Sequence, residues 1–172
     1  MKRLLLILTM VLVSFYASAQ VRVPGTSVFF VFPNEGWKYL QTTKVDKNVS
    51  VYLYSFDRRV VVDAEGDTVL PYLSVYVKKN CTESVYDVVY QRYESRPYQS
   101  LNESVENVPG GDGIFYVGAY RSAYDNKEYE FRMLYMKVKN TLIEFRLETT
   151  QDTFEEFDEE FLVILNSIKI EK

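Results

Sequence analysis

The sequence predicts an α+β domain in which an antiparallel β-sheet is flanked by two main helices. Runs of β-branched and aromatic residues, several of them alternating with polar ones, dominate the chain and are typical of strands. Short turns separate neighbouring runs, which favours antiparallel pairing. Two further segments carry apolar residues at helical spacing. Only seven glycines and five prolines occur in 172 residues, so we expect few long loops.

Seven segments carry strand patterns: residues 27–32, 49–55, 60–62, 68–78, 114–122, 128–138 and 141–149. The third and fourth flank a loop at 63–67 and predict a hairpin. Pro71 lies inside the fourth and predicts an edge position or a bulge. The last two predict a hairpin that turns at Lys139 and Asn140, where asparagine tolerates a positive φ.

The alternation in segment 141–149 assigns its side chains to two faces of the sheet. We expect Ile143, Phe145 and Leu147 to point inward. The residues expected to point outward are Leu142, Glu144, Arg146 and Glu148.

Two segments predict helices. Residues 84–95 place Val85, Val88 and Val89 on one face, with Thr82 as the expected N-cap. Residues 153–167 carry a continuous apolar face. The acidic residues at the start of this second helix are favourable there because the helix dipole is positive at that end.

The first 19 residues predict a signal peptide. Lys2 and Arg3 precede an apolar run, and the small residues Ala17 and Ala19 supply a cleavage pattern, so we expect cleavage after Ala19. The alternative, a membrane anchor, is disfavoured because the run is short for a bilayer. The segment resembles the leaders of exported Bacteroidetes proteins. We therefore expect one domain over residues 20–172 and a periplasmic or secreted location, without stable membrane insertion.

Composition narrows the possible functions. The chain has no histidine and one cysteine, Cys81, which excludes Ser-His-Asp and Cys-His catalysis, imidazole metal sites and an internal disulfide. Its 24 acidic residues outnumber 20 basic ones, which argues against nucleic-acid binding. A carboxylate enzyme such as a glycosidase would need two facing carboxylates in a cleft, and no spacing predicts such a pair. We therefore expect no enzyme activity, no catalytic residue, no metal site and no cofactor.

Two acidic clusters have alternative interpretations. Asp63, Glu65 and Asp67 share a turn with Gly66, and such oxygen-rich turns bind calcium in other proteins. Their spacing departs from the EF-hand pattern, which favours a solvated hairpin turn, although a cation site stays open. The acidic run at 155–160 is interpreted as a solvated helix face.

Aromatic residues offer one candidate interaction surface. Tyr86, Tyr90 and Tyr93 form a stripe on the first predicted helix. The stripe is either a platform for a partner or half-buried packing on the sheet, and packing is favoured. Cys81 is expected to be buried beside the helix start. Trp37 is expected to close the end of the core.

The chain also resembles a known family. Phe30, Pro33 and Trp37 match the opening phrase F-x-x-P-x-x-W of PsbP-like domains, whose bacterial exported relatives include DcrB-like proteins. Thr149 before the last helix and the closing segment 164–168 resemble the end of such domains. The resemblance implies an α/β/α sandwich and a non-enzymatic module that binds another envelope protein. The alternative is a periplasmic module that binds a small ligand or a cation.

Overall fold

A computed structural model describes residues 20–94, 100–109 and 111–171. The expected signal peptide, residues 1–19, lies outside the described residues, as does the side chain of Tyr93. The helices are α1 (Val85–Glu94) and α2 (Gln151–Asn166). The strands are β1 (Gln20–Arg22), β2 (Val28–Val31), β3 (Trp37–Lys44), β4 (Val49–Phe56), β5 (Val61–Val62), β6 (Thr68–Val69), β7 (Tyr72–Lys78), β8 (Ser100–Val108), β9 (Gly111–Arg121), β10 (Glu128–Val138), β11 (Thr141–Thr150) and β12 (Lys169–Ile170).

Seven strands form one sheet in the order β3-β4-β7-β11-β10-β9-β8, and every neighbouring pair is antiparallel. A small sheet, β1-β2-β12, and a two-stranded ribbon, β5-β6, complete the structure. The prediction of an antiparallel sheet with two helices is therefore confirmed. No helix in the described part of the chain is long and apolar enough to cross a membrane.

Helix α2 packs on one face of the sheet and forms the larger core. Its side chains Phe157 and Phe161 are 1% and 0% exposed and meet sheet residues such as Phe145 and Leu147. Trp37 lies at the end of this core, where its ring stacks on Phe32 with centroids 5.6 Å apart. Its indole Nε1 donates a 2.8 Å hydrogen bond to Glu160 Oε2. The predicted role of Trp37 is thus confirmed.

Helix α1 packs against residues that alternate with those that contact α2. Val88 packs with Leu142 of β11 and with Cys81. Val89 packs in one cluster with Ile114 of β9 and Phe131 of β10. Leu142, which contacts α1, directly precedes Ile143, which belongs to the core that α2 forms with the sheet. The predicted burial of Cys81 is confirmed, since it is 1% exposed.

The expectation that alternate residues of β11 point to solvent is wrong. Leu142, Glu144 and Glu148 are 0%, 3% and 1% exposed. The alternation of side-chain directions along β11 was predicted correctly. The second face is covered as well, by α1 and by a set of aromatic side chains. A strand that is buried on both faces still shows an alternation of polar and apolar residues in its sequence when one of the faces carries buried polar groups.

The structure corrects the role of Pro71. The proline separates β6 from β7, and β7 is a central strand between β4 and β11. A proline is tolerated here because it lies before β7, the strand that pairs with β4 and β11. Its carbonyl accepts a 3.0 Å hydrogen bond from the amide of Phe56. The predicted hairpin across 63–67 is confirmed, but it is only the short ribbon β5-β6.

Two local details also differ from the predictions. The N-cap of α1 is Ser84 rather than Thr82: Ser84 Oγ accepts a 3.1 Å hydrogen bond from the Asp87 amide, and the Asp87 carboxylate accepts one from the Ser84 hydroxyl at 2.7 Å. In the β10–β11 turn the positive φ falls on Lys139, at 55°, and not on Asn140.

Some strands carry no sequence pattern. In β3 only Trp37 is buried and the other seven residues are exposed, because the strand forms one edge of the sheet. Strand β8 forms the opposite edge. An edge strand that is exposed on both faces, such as β3, shows no apolar alternation, so it was not predicted. Strand β8 was not predicted either.

Replacing Phe161 by alanine is expected to lower the free energy of unfolding by about 3–5 kcal/mol, because the lost ring leaves a cavity in a packed core. The ring centroid of Phe161 lies 6.0 Å from that of Trp37, the single tryptophan, so urea unfolding can be followed by its fluorescence. The control is Val163→Ala on the same helix, where the side chain is 46% exposed. Equal losses in the two variants would contradict the assignment of the core.

Candidate functional site

An open groove of about 750 Å³ lies beside helix α1 and is called here the α1 groove. Val89, Ile114 and Tyr116 form its floor, and all three are nearly fully buried. Tyr86 and Tyr90 of α1 form one wall. The groove therefore combines an apolar floor with an aromatic wall.

The capping of α1 and its buried valines determine the position of the wall. The hydrogen bonds between Ser84 and Asp87 fix where the helix begins. Val88 and Val89 hold the opposite side against the sheet, so Tyr86 and Tyr90, four residues apart, share an outward side. They are 50% and 65% exposed. The favoured prediction of half-buried packing therefore agrees with Tyr86, while Tyr90 is more exposed than predicted.

Carboxylates line the rim of the α1 groove. Glu83, Asp87 and Glu103 belong to its lining, and none of the described lining residues is basic. Tyr116 donates a 2.8 Å hydrogen bond to Glu103 Oε2. Lys78, whose Nζ lies 2.7 Å from Glu83 Oε2, lowers the pKa of that carboxyl, and so does the Cys81 thiol. Glu83 is therefore ionised at neutral pH and already has a cationic neighbour.

The acidic loop at 63–67 converges on a cation of the protein itself. The ammonium of Lys127 pairs with Asp63, lies 2.7 Å from Asp67 Oδ2 and lies 3.7 Å from Glu65 Oε2. Asp63 also accepts hydrogen bonds from the amides of Glu65 at 3.1 Å and Asp67 at 2.8 Å, which shape the turn.

Burial and charge separate the members of this loop. The hydrogen bond from Lys127 lowers the pKa of the Asp63 carboxyl, and the same pair raises the pKa of Lys127. Asp63 is 8% exposed, whereas Glu65 and Asp67 are exposed. The interpretation as a solvated turn therefore describes Glu65 and Asp67 but not Asp63. The three carboxylates form the one metal-sized acidic group among the described residues, and Lys127 lies within it.

A buried network, called here the Tyr–Glu cluster, lies on the face of β11 that was expected to be outward. Glu148 accepts hydrogen bonds from the hydroxyls of Tyr72 and, at 2.6 Å, of Tyr120, and it pairs with Arg146. The Arg146 guanidinium carbon lies 5.3 Å from the ring centroid of Tyr120 and 5.0 Å from that of Phe131. The only sequence signal for this network was the alternation of charged residues along one strand.

Burial and the charge of Glu148 raise the pKa values of Tyr72 and Tyr120 well above that of free tyrosine. Both hydroxyls therefore keep their protons at neutral pH and act as hydrogen-bond donors. These two hydroxyls and the Arg146 guanidinium hold the buried Glu148 carboxylate, and they connect β11 to β7 and β9.

The acidic run of α2 lies outward or on the flanks of the helix, as predicted. Glu155 and Glu159 are exposed. The other three carboxylates have partners: Glu156 pairs with Arg59, Asp158 with Arg132, and Glu160 with Trp37. These contacts hold α2 against the sheet and against the segment after β4. The acidic run therefore contributes to the packing of α2.

Comparisons with known proteins identify the fold. No protein-family model and no curated protein match the sequence. The solution structure of cyanobacterial PsbP (CyanoP) from Synechocystis sp. PCC 6803 is similar over 92% of this chain and 96% of that chain, with a TM-score of 0.59 and 19% identity. The crystal structure of LpqN, involved in cell envelope biogenesis of Mycobacterium tuberculosis, is similar over 90% and 91%, with a TM-score of 0.55 and 11% identity. The predicted PsbP-like fold is confirmed, and at these identities the likeness shows the fold alone.

Replacing Lys127 by methionine is expected to lower the melting temperature at pH 7, because the carboxylate of Asp63 loses its ammonium partner. The folded pKa of Asp63 is lowered, so the stabilisation is present above about pH 4 and is lost as the pH falls through the folded value. Calorimetry at neutral and acidic pH should show a smaller difference between wild type and variant in acid. Glu65→Gln, at an exposed carboxylate, is the control and should change little.

The Tyr–Glu cluster predicts that alkaline pH destabilises the protein. A group whose folded pKa is raised contributes stability below its unfolded pKa, and this stability is lost as the pH rises. Tyrosines in the unfolded chain ionise near pH 10, so unfolding should become easier above about that value. Chemical denaturation across this pH range should show a steep decline for wild type and a shallower one for the double variant Tyr72→Phe, Tyr120→Phe. Tyr124→Phe, at a side chain that is 99% exposed, is the control and should keep the wild-type slope.

Proposed function

We propose that the protein is exported and acts in the cell envelope as a non-enzymatic module that binds another envelope protein through the α1 groove. The observation that carries this proposal is the pair of exposed tyrosines, Tyr86 and Tyr90, beside an open groove with an apolar floor. Tyrosine is enriched in protein interfaces because its ring packs while its hydroxyl keeps a polar contact. An exposed aromatic pair on a rigid helix is therefore suited to docking.

The chemistry of the Tyr–Glu cluster and of the acidic loop at 63–67 supports a binding role over catalysis. The carboxylate of the Tyr–Glu cluster is buried, and the acidic loop is occupied by Lys127. A hydrolase that used two carboxylates would need both of them to face one cleft. The α1 groove instead has carboxylates on its rim and apolar residues on its floor, which is the arrangement of an interface with a polar border.

The compartment is inferred from two sources. The sequence carries the pattern of a cleaved signal peptide. LpqN, which shares the fold, is involved in cell envelope biogenesis. We further infer that α1, the sheet and α2 correspond to the three layers of a PsbP-like α/β/α sandwich, with the groove at the margin of the α1 layer.

A second candidate function is the binding of a small ligand in the same groove. Its volume lies within the usual range for ligand pockets, about 300–1,000 Å³. Protein binding is favoured because the groove is open and its wall is exposed. Binding of a cation by the acidic loop has less support, because its carboxylates already surround the ammonium of Lys127.

A photo-crosslinking amino acid placed at position 90 tests the proposal in the native host. We expect one dominant crosslinked envelope protein, because the side chain at this position borders the groove. The matched control carries the same amino acid at position 124, where the wild-type tyrosine is 99% exposed and does not line the groove.

The captured partner is then purified and mixed with the wild type and with Tyr86→Ala. Loss of the tyrosine wall should weaken binding by about tenfold or more, as expected for an aromatic residue at the centre of an interface. Identical crosslinks from positions 90 and 124, or unchanged affinity of Tyr86→Ala, would contradict docking at the α1 groove.

A further inference from the structure

We infer that the partner segment bound in the α1 groove is basic, and that one of its arginine or lysine side chains lies between the tyrosine wall and the carboxylates of the rim. The inference rests on the proposed function and specifies the chemistry of the partner. It depends on three observations: the charge of the lining, the exposure of the tyrosines, and the spacing of the carboxylates.

The charge of the groove requires a cationic occupant. Three of the described lining residues, Glu83, Asp87 and Glu103, are acidic and none is basic. Lys78 pairs with Glu83, but Asp87 and Glu103 have polar neutral partners, Ser84 and Tyr116. An apolar or acidic segment would desolvate these two carboxylates without supplying a counter-charge, which is costly. A basic segment supplies that charge.

The tyrosine wall suits a guanidinium or an ammonium group. A cation over an aromatic face gains about 0.5–1 kcal/mol at an exposed site and more where water is excluded. Tyr86 and Tyr90 expose half or more of their surface. Arginine is the better occupant because its planar group stacks on a ring while it donates hydrogen bonds to a carboxylate.

The same combination occurs twice among the residues that the structure describes. Arg146 lies over the rings of Tyr120 and Phe131 and pairs with Glu148. Arg132 lies 5.9 Å from the ring centroid of Phe115 and pairs with Asp158. In both places an arginine, an aromatic ring and a carboxylate meet. At the α1 groove Tyr86 presents the ring and Asp87 and Glu103 present carboxylates, and the partner is inferred to supply the arginine.

The spacing of the rim carboxylates favours a peptide segment over a metal ion. Among the described residues, only Asp63, Glu65 and Asp67 bring three carboxylate oxygens within 4.8 Å of one another. The carboxylates of Glu83, Asp87 and Glu103 do not converge in this way. A basic side chain of a partner, which needs only one or two carboxylates, fits this lining better than a metal ion that needs several ligands at once.

Blocked hexapeptides test the inference with the exported protein as purified. The peptides alternate glycine with arginine, with lysine, with glutamate or with serine, and binding is measured by NMR shift changes of the backbone amides of α1. We expect the arginine peptide to bind most tightly, the lysine peptide more weakly, and the other two not at all. High salt, about 0.5 M, should weaken binding because it screens exposed charges.

Three variants locate the binding. Glu103→Gln and Tyr86→Ala are each expected to weaken binding of the arginine peptide about two- to fivefold, from the loss of one exposed charge pair or one cation–π contact. Tyr124→Ala, which alters an exposed tyrosine away from the groove, should leave it unchanged. Circular dichroism shows that each variant is folded.

Two outcomes would overturn the inference. The first is binding of the glutamate or serine peptide as tight as that of the arginine peptide, and the second is no binding of either basic peptide at millimolar concentration. Neither outcome affects the crosslinking at position 90, which tests docking independently of charge. If crosslinking at position 90 succeeds and the peptides fail, the groove is an interface for a partner of different chemistry.

Discussion

The pairing of β10 with β11 is the interaction on which the rest of the structure depends. Ten residue pairs, from Tyr129 with Thr150 to Val138 with Thr141, form one unbroken antiparallel ladder. Strand β7 joins this hairpin on one side and β9 joins it on the other. Both helices contact the hairpin, so its position helps to determine where α1 and α2 lie. A shift of the register by one residue would exchange the residues of the two faces.

Burial on both faces requires the second face to satisfy its polar groups internally. On the α2 side the hairpin contributes Phe145 and Leu147 to an apolar core. On the other side Glu148 is charged and 1% exposed, and it is stabilised by two tyrosine hydroxyls and Arg146. Helix α1 is shorter than α2, with 10 residues against 16. It covers its part of the sheet without filling the space beside it, which leaves the α1 groove.

Local sequence patterns predicted the hairpin and α2 because both are long, strongly periodic and bounded by clear turns. The remaining features depend on tertiary contacts that no local pattern encodes. Glu148 stands at a polar position of the polar–apolar alternation, which is typical of an exposed residue. Tyr72 and Tyr120, which approach from other strands, bury it. The tyrosine stripe of α1 was ambiguous because the same spacing along a helix is compatible with packing on the sheet and with exposure to solvent. The convergence of Lys127 on a loop about sixty residues earlier is equally non-local.

The distribution of charge explains why an acidic groove remains in a chain with 24 acidic and 20 basic residues. Several cations are held by carboxylates elsewhere: Lys127 at the acidic loop, Arg146 at Glu148, and Arg132 at α2. These pairs fix elements that are distant in sequence, so their cations are not available for other roles. The remaining carboxylates include Asp87 and Glu103 at the rim of the α1 groove, whose described partners are the neutral side chains of Ser84 and Tyr116. The exposed tyrosines of the groove lie where a cation from another molecule would meet both a ring and a carboxylate.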